Sequence, residues 1–180
     1  MNGEIVVIED VSKKLIEYKI PFMLTGSIAM NFYVEPRMTR DIDIVVYLQK
    51  ENISAIMKMF EKDYYIDEDS VRMAIDNNRM FNIVHNETVT KVDFILRKKT
   101  EYRLMEFERR QLVNFGNIPT YIVGKEDLIL SKLDWMKNSK SDIQKKDISL
   151  LLSSDYDKDY VTKWSTELGL QTLLEEIING

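Results

Sequence analysis

At 180 residues, 44% hydrophobic and 31% charged, the chain has the size and composition of one folded domain with room for a small helical appendage. Its net charge of -5 argues against a surface coated throughout for nucleic acid, while leaving room for a local basic groove. Lack of cysteine excludes disulfides, thiolate metal sites and cysteine nucleophiles; no apolar run approaches the ~20 residues that cross a bilayer, and the Met1–Glu4 start lacks the basic and apolar stretches of a signal peptide, so a cytoplasmic location away from membranes is expected.

No repeat or low-complexity linker interrupts the chain, and its one plausible division falls near Val123-Gly124. Val11 to Tyr18 reads as a short amphipathic helix, with Leu15 and Ile16 on its apolar side. Phe22 to Leu24 is a short buried strand opened by Pro21; Gly26-Ser27 is a turn, with Ser27 as N-cap for a helix over Ile28 to Tyr33. A loop marked by Pro36 runs from Val34 to Arg40, and Asp41 to Leu48 is a strand. Asn52 to Glu61 is a helix, with Ile53, Ile56, Met57 and Phe60 on one face, and Ser70 to Ile75 is read as another short one. Met80 to Val84 and Thr88 to Leu96 are strands joined across His85-Asn86-Glu87 as a hairpin. Glu101 to Arg110 is ambiguous between helix and loop, and Leu112-Val113 and Thr120 to Val123 are candidate short strands. From Lys125 the pattern is helical: Asp127 to Lys137, Ser141 to Leu152, Lys158 to Leu168 and Gln171 to Ile178. The expected class is α+β: a small mixed sheet with flanking helices over residues 1–123, then a C-terminal helical region over 124–180 packed on that core.

The chemistry lies in Leu24-Thr25-Gly26-Ser27 and Thr39-Arg40-Asp41-Ile42-Asp43-Ile44. Side chains alternate along a strand, so Asp41 and Asp43 share one face while Ile42, Ile44 and Val46 share the other. Two close carboxylates repel each other, and a hard divalent ion such as Mg²⁺ relieves the repulsion. Lys91 to Leu96 repeats the pattern: Val92, Phe94 and Leu96 form an apolar face, and Asp93 points with Lys91 to the other side. If the two strands are neighbours, three carboxylates converge on one open face, a set suited to two metal ions clamping a phosphoryl group. Gly26 lets the backbone approach a ligand, and the following helix offers free N–H groups and the positive end of its dipole; together with the Ser27 hydroxyl these form a phosphate seat.

Each feature alone has a plainer reading. Gly-Ser before a helix is usually a cap, and Asp-x-Asp on a strand is often the solvated face of an edge. Asp93 in an apolar strand is harder to dismiss, because an unpaired buried carboxylate is costly. The joint occurrence, in this order, carries the case.

Leu24-Thr25-Gly26-Ser27, a thirteen-residue spacer, Asp41-Ile42-Asp43 and the later strand residue Asp93 resemble the signature of the nucleotidyltransferase (DNA polymerase β-like) superfamily. Arg37 to Asp43 looks most like the stand-alone bacterial group that includes abortive-infection, type IV toxin–antitoxin nucleotidyltransferases. Glu126 to Leu133, followed by Lys146-Asp147-Ile148, is similar to that group's C-terminal helical motif. The resemblance covers roughly residues 20 to 152. It departs from many relatives at Tyr33-Val34-Glu35-Pro36, which lacks a glycine they carry.

The resemblance implies a mechanism. Asp41 and Asp43 would hold two Mg²⁺ ions, with Asp93 joining the one that activates the acceptor. Gly26 and Ser27 would seat the β- and γ-phosphates of a nucleoside triphosphate, and Thr39 and Arg40 would lie against the nucleotide. The acceptor hydroxyl, helped by Asp93, would attack the α-phosphorus in line and release pyrophosphate. Candidate acceptors are RNA or tRNA, a protein, or a small molecule such as an antibiotic. A toxin of this group would pair with an antitoxin protein. A non-catalytic binding module of the same fold is the alternative, against which the intact Asp41, Asp43 and Asp93 speak.

Lys132 flanks the apolar stripe of Ile129, Leu133 and Met136, beside Trp135. It is either a snorkelling surface lysine or a cation neutralising the triphosphate, with Asp147 orienting it or pairing with another lysine. His85, the one histidine, falls in a turn and is given no catalytic role. Arg97-Lys98-Lys99 and the arginines from Arg103 to Arg110 could form a basic rim for RNA, but the interleaved Glu101, Glu106 and Glu108 favour an ordinary charged surface.

Overall fold

The computed structural model describes residues 2–36, 41–139 and 141–179. Among them seven strands form one mixed sheet: β1 (Phe22–Thr25), β2 (Asp41–Val46), β3 (Tyr64–Tyr65), β4 (Met80–His85), β5 (Lys91–Leu96), β6 (Gln111–Phe115) and β7 (Ile118–Ile122), in the order β3-β4-β5-β2-β1-β7-β6. β2 pairs with β5 in parallel and with β1 antiparallel. Around the sheet lie helices α1 (Asn2–Glu17), α2 (Gly26–Met30), α3 (Ile53–Phe60), α4 (Glu68–Asn77) and α5 (Glu101–Glu108), followed by α6 (Lys125–Ser139), α7 (Asp142–Leu152), α8 (Lys158–Glu167) and α9 (Gln171–Asn179). This is the expected mixed sheet with flanking helices and a helical C-terminal region.

The strand alternation builds two unlike faces. On one, Ile42, Ile44 and Val46 stand beside Val92, Phe94 and Leu96, all buried. Phe60 of α3 packs its ring on Phe94, and Ser12 of α1 bonds to Thr120 of β7 at 2.8 Å, so these two helices cover that face. The opposite face carries Thr25, Asp43 and Asp93, and α6 crosses part of it.

Several elements differ from expectation. α1 begins at Asn2 rather than Val11; Val7, Ile8, Val11 and Leu15 form its buried stripe, and the β-branched run Ile5-Val6-Val7-Ile8 hid the helical period. β3 was not expected: it is two residues long and exists through pairing with β4. The β4–β5 turn extends to Thr90, with Val89 at φ 55, so β5 starts at Lys91 rather than Thr88. The 101–108 segment is helical, and β6 and β7 form a hairpin around Gly116, at φ 60, and Asn117.

Ser27 is not the N-cap. Thr25 takes that position, and Gly26 opens the helix at φ 62. The helix ends at Met30 rather than Tyr33, and five residues carry little macrodipole. Any anion affinity here must come from the turn's backbone and from side chains around it.

Candidate active site

The register places Thr25 beside Asp43, Asp43 beside Asp93 and Asp93 beside Asn82, a polar row across β1, β2, β5 and β4. Neighbouring strands lie about 4.8 Å apart, so the two aspartates project side by side from the same face. Asp41 lies two residues earlier on that face, exposed, with Lys91 as its register partner. The Asp43–Asp93 juxtaposition thus matches the sequence expectation, with Asp41 at its outer edge.

Electrostatically the pair is frustrated. Burial, then Asp93, then Asp41 push the Asp43 carboxyl up to about 6, with Lys132 and Lys91 opposing. Asp93 is 6% exposed. Its Oδ2 accepts a hydrogen bond from Lys91 Nζ at 2.7 Å, and that partner raises the lysine's pKa. Its Oδ1 is buried without a hydrogen-bond partner. A desolvated carboxylate oxygen left open beside a second carboxylate fits a hard divalent cation, whose preferred donor is carboxylate oxygen. The fit concerns this pair: among the described residues no three histidine, aspartate or glutamate side chains are already gathered as a metal-holding group.

Gly26 is fixed twice over. Its left-handed φ favours glycine, and a Cβ there would collide with the Asp43 carboxylate. The turn lies directly against Asp43, and Gly26 and Asp43 together line a cleft. Ser27 lines that cleft. Thr39 and Arg40, expected at the nucleotide, lie outside the described residues.

Lys132 is 4% exposed and lines the cleft with Gly26, Ser27 and Asp43, so it is not a snorkelling surface lysine. Its Nζ donates to Asp147 Oδ2 at 2.8 Å and to Gln144 Oε1 at 3.2 Å, both on α7. The expected pairing with Asp147 is present, and Gln144 adds a second anchor. Thr25 and Trp135 also line the cleft, as do Ser131 and Gln144, to which the sequence had given no part. Ser131 and Trp135 follow Leu128 and Lys132 at helical spacing, which was the available signal. Gln144 had none, because its position depends on how α7 docks on α6.

The basic stretch is not a free rim: Lys98, Lys99, Glu101 and Glu108 are an ordinary exposed surface, while the arginines are engaged by neighbouring side chains. Arg103 donates to Glu106, Ser131 and Asp134, and Glu106 is 3% exposed. Arg109 donates to Asp127 and lies over the Tyr160 ring. Arg97 stacks on Tyr47 and Phe107, and Arg110 on Phe107 and Tyr121. His85 accepts from the Thr88 backbone N–H through Nδ1 and packs on Tyr64.

No family profile matches the chain, and no curated protein matches it in sequence. Solved structures do. An antigenic nucleotidyltransferase-like protein from Paracoccidioides brasiliensis superposes with TM-score 0.63 at 17% identity, over 98% of this chain and 88% of its own. The lincosamide antibiotic adenylyltransferase LnuA, lincomycin-bound, gives 0.55 at 15% identity over 85% of this chain and 97% of its own. ANT(2'')-Ia in complex with adenylyl-2''-tobramycin gives 0.53 at 12% identity over 98% of both chains. The fold is that of the nucleotidyltransferases.

Proposed function

We propose that the protein is a metal-dependent nucleotidyltransferase that moves a nucleoside monophosphate from a nucleoside triphosphate to a hydroxyl group of a small molecule. The observation that carries this reading is the Asp43–Asp93 pair, with one buried oxygen left without a partner, beneath a glycine turn and a buried lysine. Mg²⁺ held by Asp43 and Asp93, with Asp41 joining from the outer edge, would neutralise the phosphates and lower the acceptor hydroxyl's pKa.

The chain's own residues do the rest by positioning. The Gly26 turn and the Ser27 hydroxyl receive the β- and γ-phosphates, and Lys132, held by Asp147 and Gln144, offsets their charge. The acceptor oxygen bonds to the α-phosphorus as the bond to the bridging oxygen breaks; pyrophosphate leaves, and Asp93 accepts the hydroxyl proton. Thr39 and Arg40, just before Asp41, remain proposed nucleotide contacts.

A small acceptor is favoured because RNA binding draws on free cations along a phosphate path, whereas Arg103 and Arg109 are paired with acidic side chains, Lys98 and Lys99 are the exposed cations left in that stretch, and the net charge is -5. Two proteins of the same fold are seen with small molecules, one with lincomycin and one with adenylyl-2''-tobramycin, which supports this choice. The test is incubation with each α-phosphate-labelled triphosphate and Mg²⁺, offered lincosamides, aminoglycosides, total RNA and cell protein in turn. Label on a small product with release of pyrophosphate is expected. Label on RNA or protein would replace the acceptor class, and no transfer from any triphosphate would overturn the reading.

A further inference from the structure

Past Gly26, Ser27 and Lys132 the cleft continues along the same sheet face into a second lobe, with Val45 and Ile95 on its floor and Arg97, Lys98, Arg103 and Asp134 among its walls. Trp135 lines both lobes. It is 61% exposed, and among the described residues it is the one exposed large hydrophobic side chain that lines this cleft. The other indole, Trp164, is 6% exposed and packed against Tyr102.

Trp135 follows Lys132 by three residues, about 4.5 Å along the helix and close to the same face. A triphosphate neutralised by Lys132 therefore carries its nucleoside into reach of the indole. In-line displacement puts the acceptor hydroxyl opposite the departing pyrophosphate. A ring beside the pyrophosphate seat consequently faces the donor rather than the acceptor.

We infer that the second lobe is the donor's nucleobase subsite, in which the base stacks between Trp135 and the apolar surface of Val45 and Ile95. This rests on the nucleotidyl-transfer reading above. Of the charged side chains that also line the lobe, Arg103 is committed to Glu106, Ser131 and Asp134, while Lys98 is exposed and Arg97 Nε is buried without a hydrogen-bond partner.

The two indoles make this measurable without turnover. With Mg²⁺ present, indole emission and melting temperature are followed while ATP, GTP, CTP, UTP or inorganic tripolyphosphate is added. The nucleotides are expected to quench emission; tripolyphosphate is expected to raise the melting temperature without quenching. Trp135→Leu should lose the quench, with Trp164 left as internal reporter, and bind ATP about tenfold more weakly, the lower part of what base–aromatic stacking supplies. Its tripolyphosphate affinity should not change, and Trp135→Tyr should recover most of the ATP affinity. If ATP and tripolyphosphate bind equally well and Trp135→Leu alters neither, the base lies elsewhere: the inference is overturned while the phosphate site stands. If neither ligand binds, the nucleotidyl-transfer reading fails and takes the subsite with it.

Discussion

Asp127 and Asp93 are both buried carboxylates, 0% and 6% exposed, and their surroundings differ. Asp127 has both oxygens satisfied: Oδ1 accepts from the Tyr160 hydroxyl at 2.6 Å and Oδ2 from Arg109 at 3.2 Å. Asp93 has Lys91 on one oxygen, nothing on the other, and Asp43 alongside. A buried charge whose lone pairs are all used ties helices together; one held open beside a like charge spends stability on something the folded chain alone does not need. The lysines differ by place, since both are anchored. Lys125 is anchored to Ser154 and the Asp155 carbonyl, away from the cleft, whereas Lys132 is held by its neighbours at the cleft wall.

The largest effect should come from removing one carboxylate of the open pair. Asp43→Asn and Asp93→Asn are each expected to lower nucleotidyl transfer by ~10³-fold or more, about 4 kcal/mol in the barrier. The metal-free fold should remain intact or gain stability, since a like-charge repulsion is relieved. Rates and thermal melts of both variants check this. A variant that unfolds would make the pair structural, like Asp127; full activity would remove it from the site.

A second, smaller effect concerns pH in the metal-free protein. Asp43 ionises near 6 in the folded chain against 3.8 in the unfolded one, through burial first and then Asp93 and Asp41. Between those values the native state binds the extra proton, so stability falls as pH rises through the window and the loss is complete above about 6. The shift corresponds to at most about 3 kcal/mol, less where the side chain relaxes toward water. Urea melts from pH 4 to 7 in a chelator should show this slope in the wild type and not in Asp43→Asn; comparing the two isolates Asp43 from carboxylates such as Asp63, whose lowered pKa works in the opposite direction. An identical slope in both would place its origin elsewhere.

Asp127→Ala sharpens the contrast from the other side. It leaves Tyr160 and the half-exposed Arg109 without their shared acceptor, for an expected loss of about 2 kcal/mol in stability. Transfer by the folded fraction should be unchanged. A rate loss exceeding the loss of folded protein would mean that Asp127 also serves the site.

The acidic half of this contrast was legible in the sequence because strand alternation is local: Asp41, Asp43 and Asp93 each declare a face within a few residues. Their adjacency was inferred from motif order, and the register supplies it. What stayed hidden depends on distant packing. Asp147 and Gln144 reach Lys132 when α7 folds back on α6, and β3 is a strand by virtue of β4. The cap was misplaced by two residues, at Ser27 instead of Thr25, because a left-handed Gly26 starts the helix early, a backbone choice that the letters Gly-Ser permit without dictating.

The smallest of these effects tests the cation. If Lys132 offsets triphosphate charge, Lys132→Ala should raise the nucleotide KM or lower kcat by about tenfold, about 1.4 kcal/mol in kcat/KM. Its burial against Asp147 complicates the variant, since an alanine leaves that carboxylate without this partner and lowers stability on its own account. Lys132→Ala with Asp147→Asn removes both charges together, so it should regain stability without regaining rate. Lys132→Arg keeps the charge but should recover only part of the rate, because the planar guanidinium cannot occupy the point taken by the ammonium. Kinetics at a temperature where every variant is folded separate the two roles. If the double variant recovers activity along with stability, Lys132 holds α6 to α7 and nothing more, and the cleft's positive charge must come from another residue.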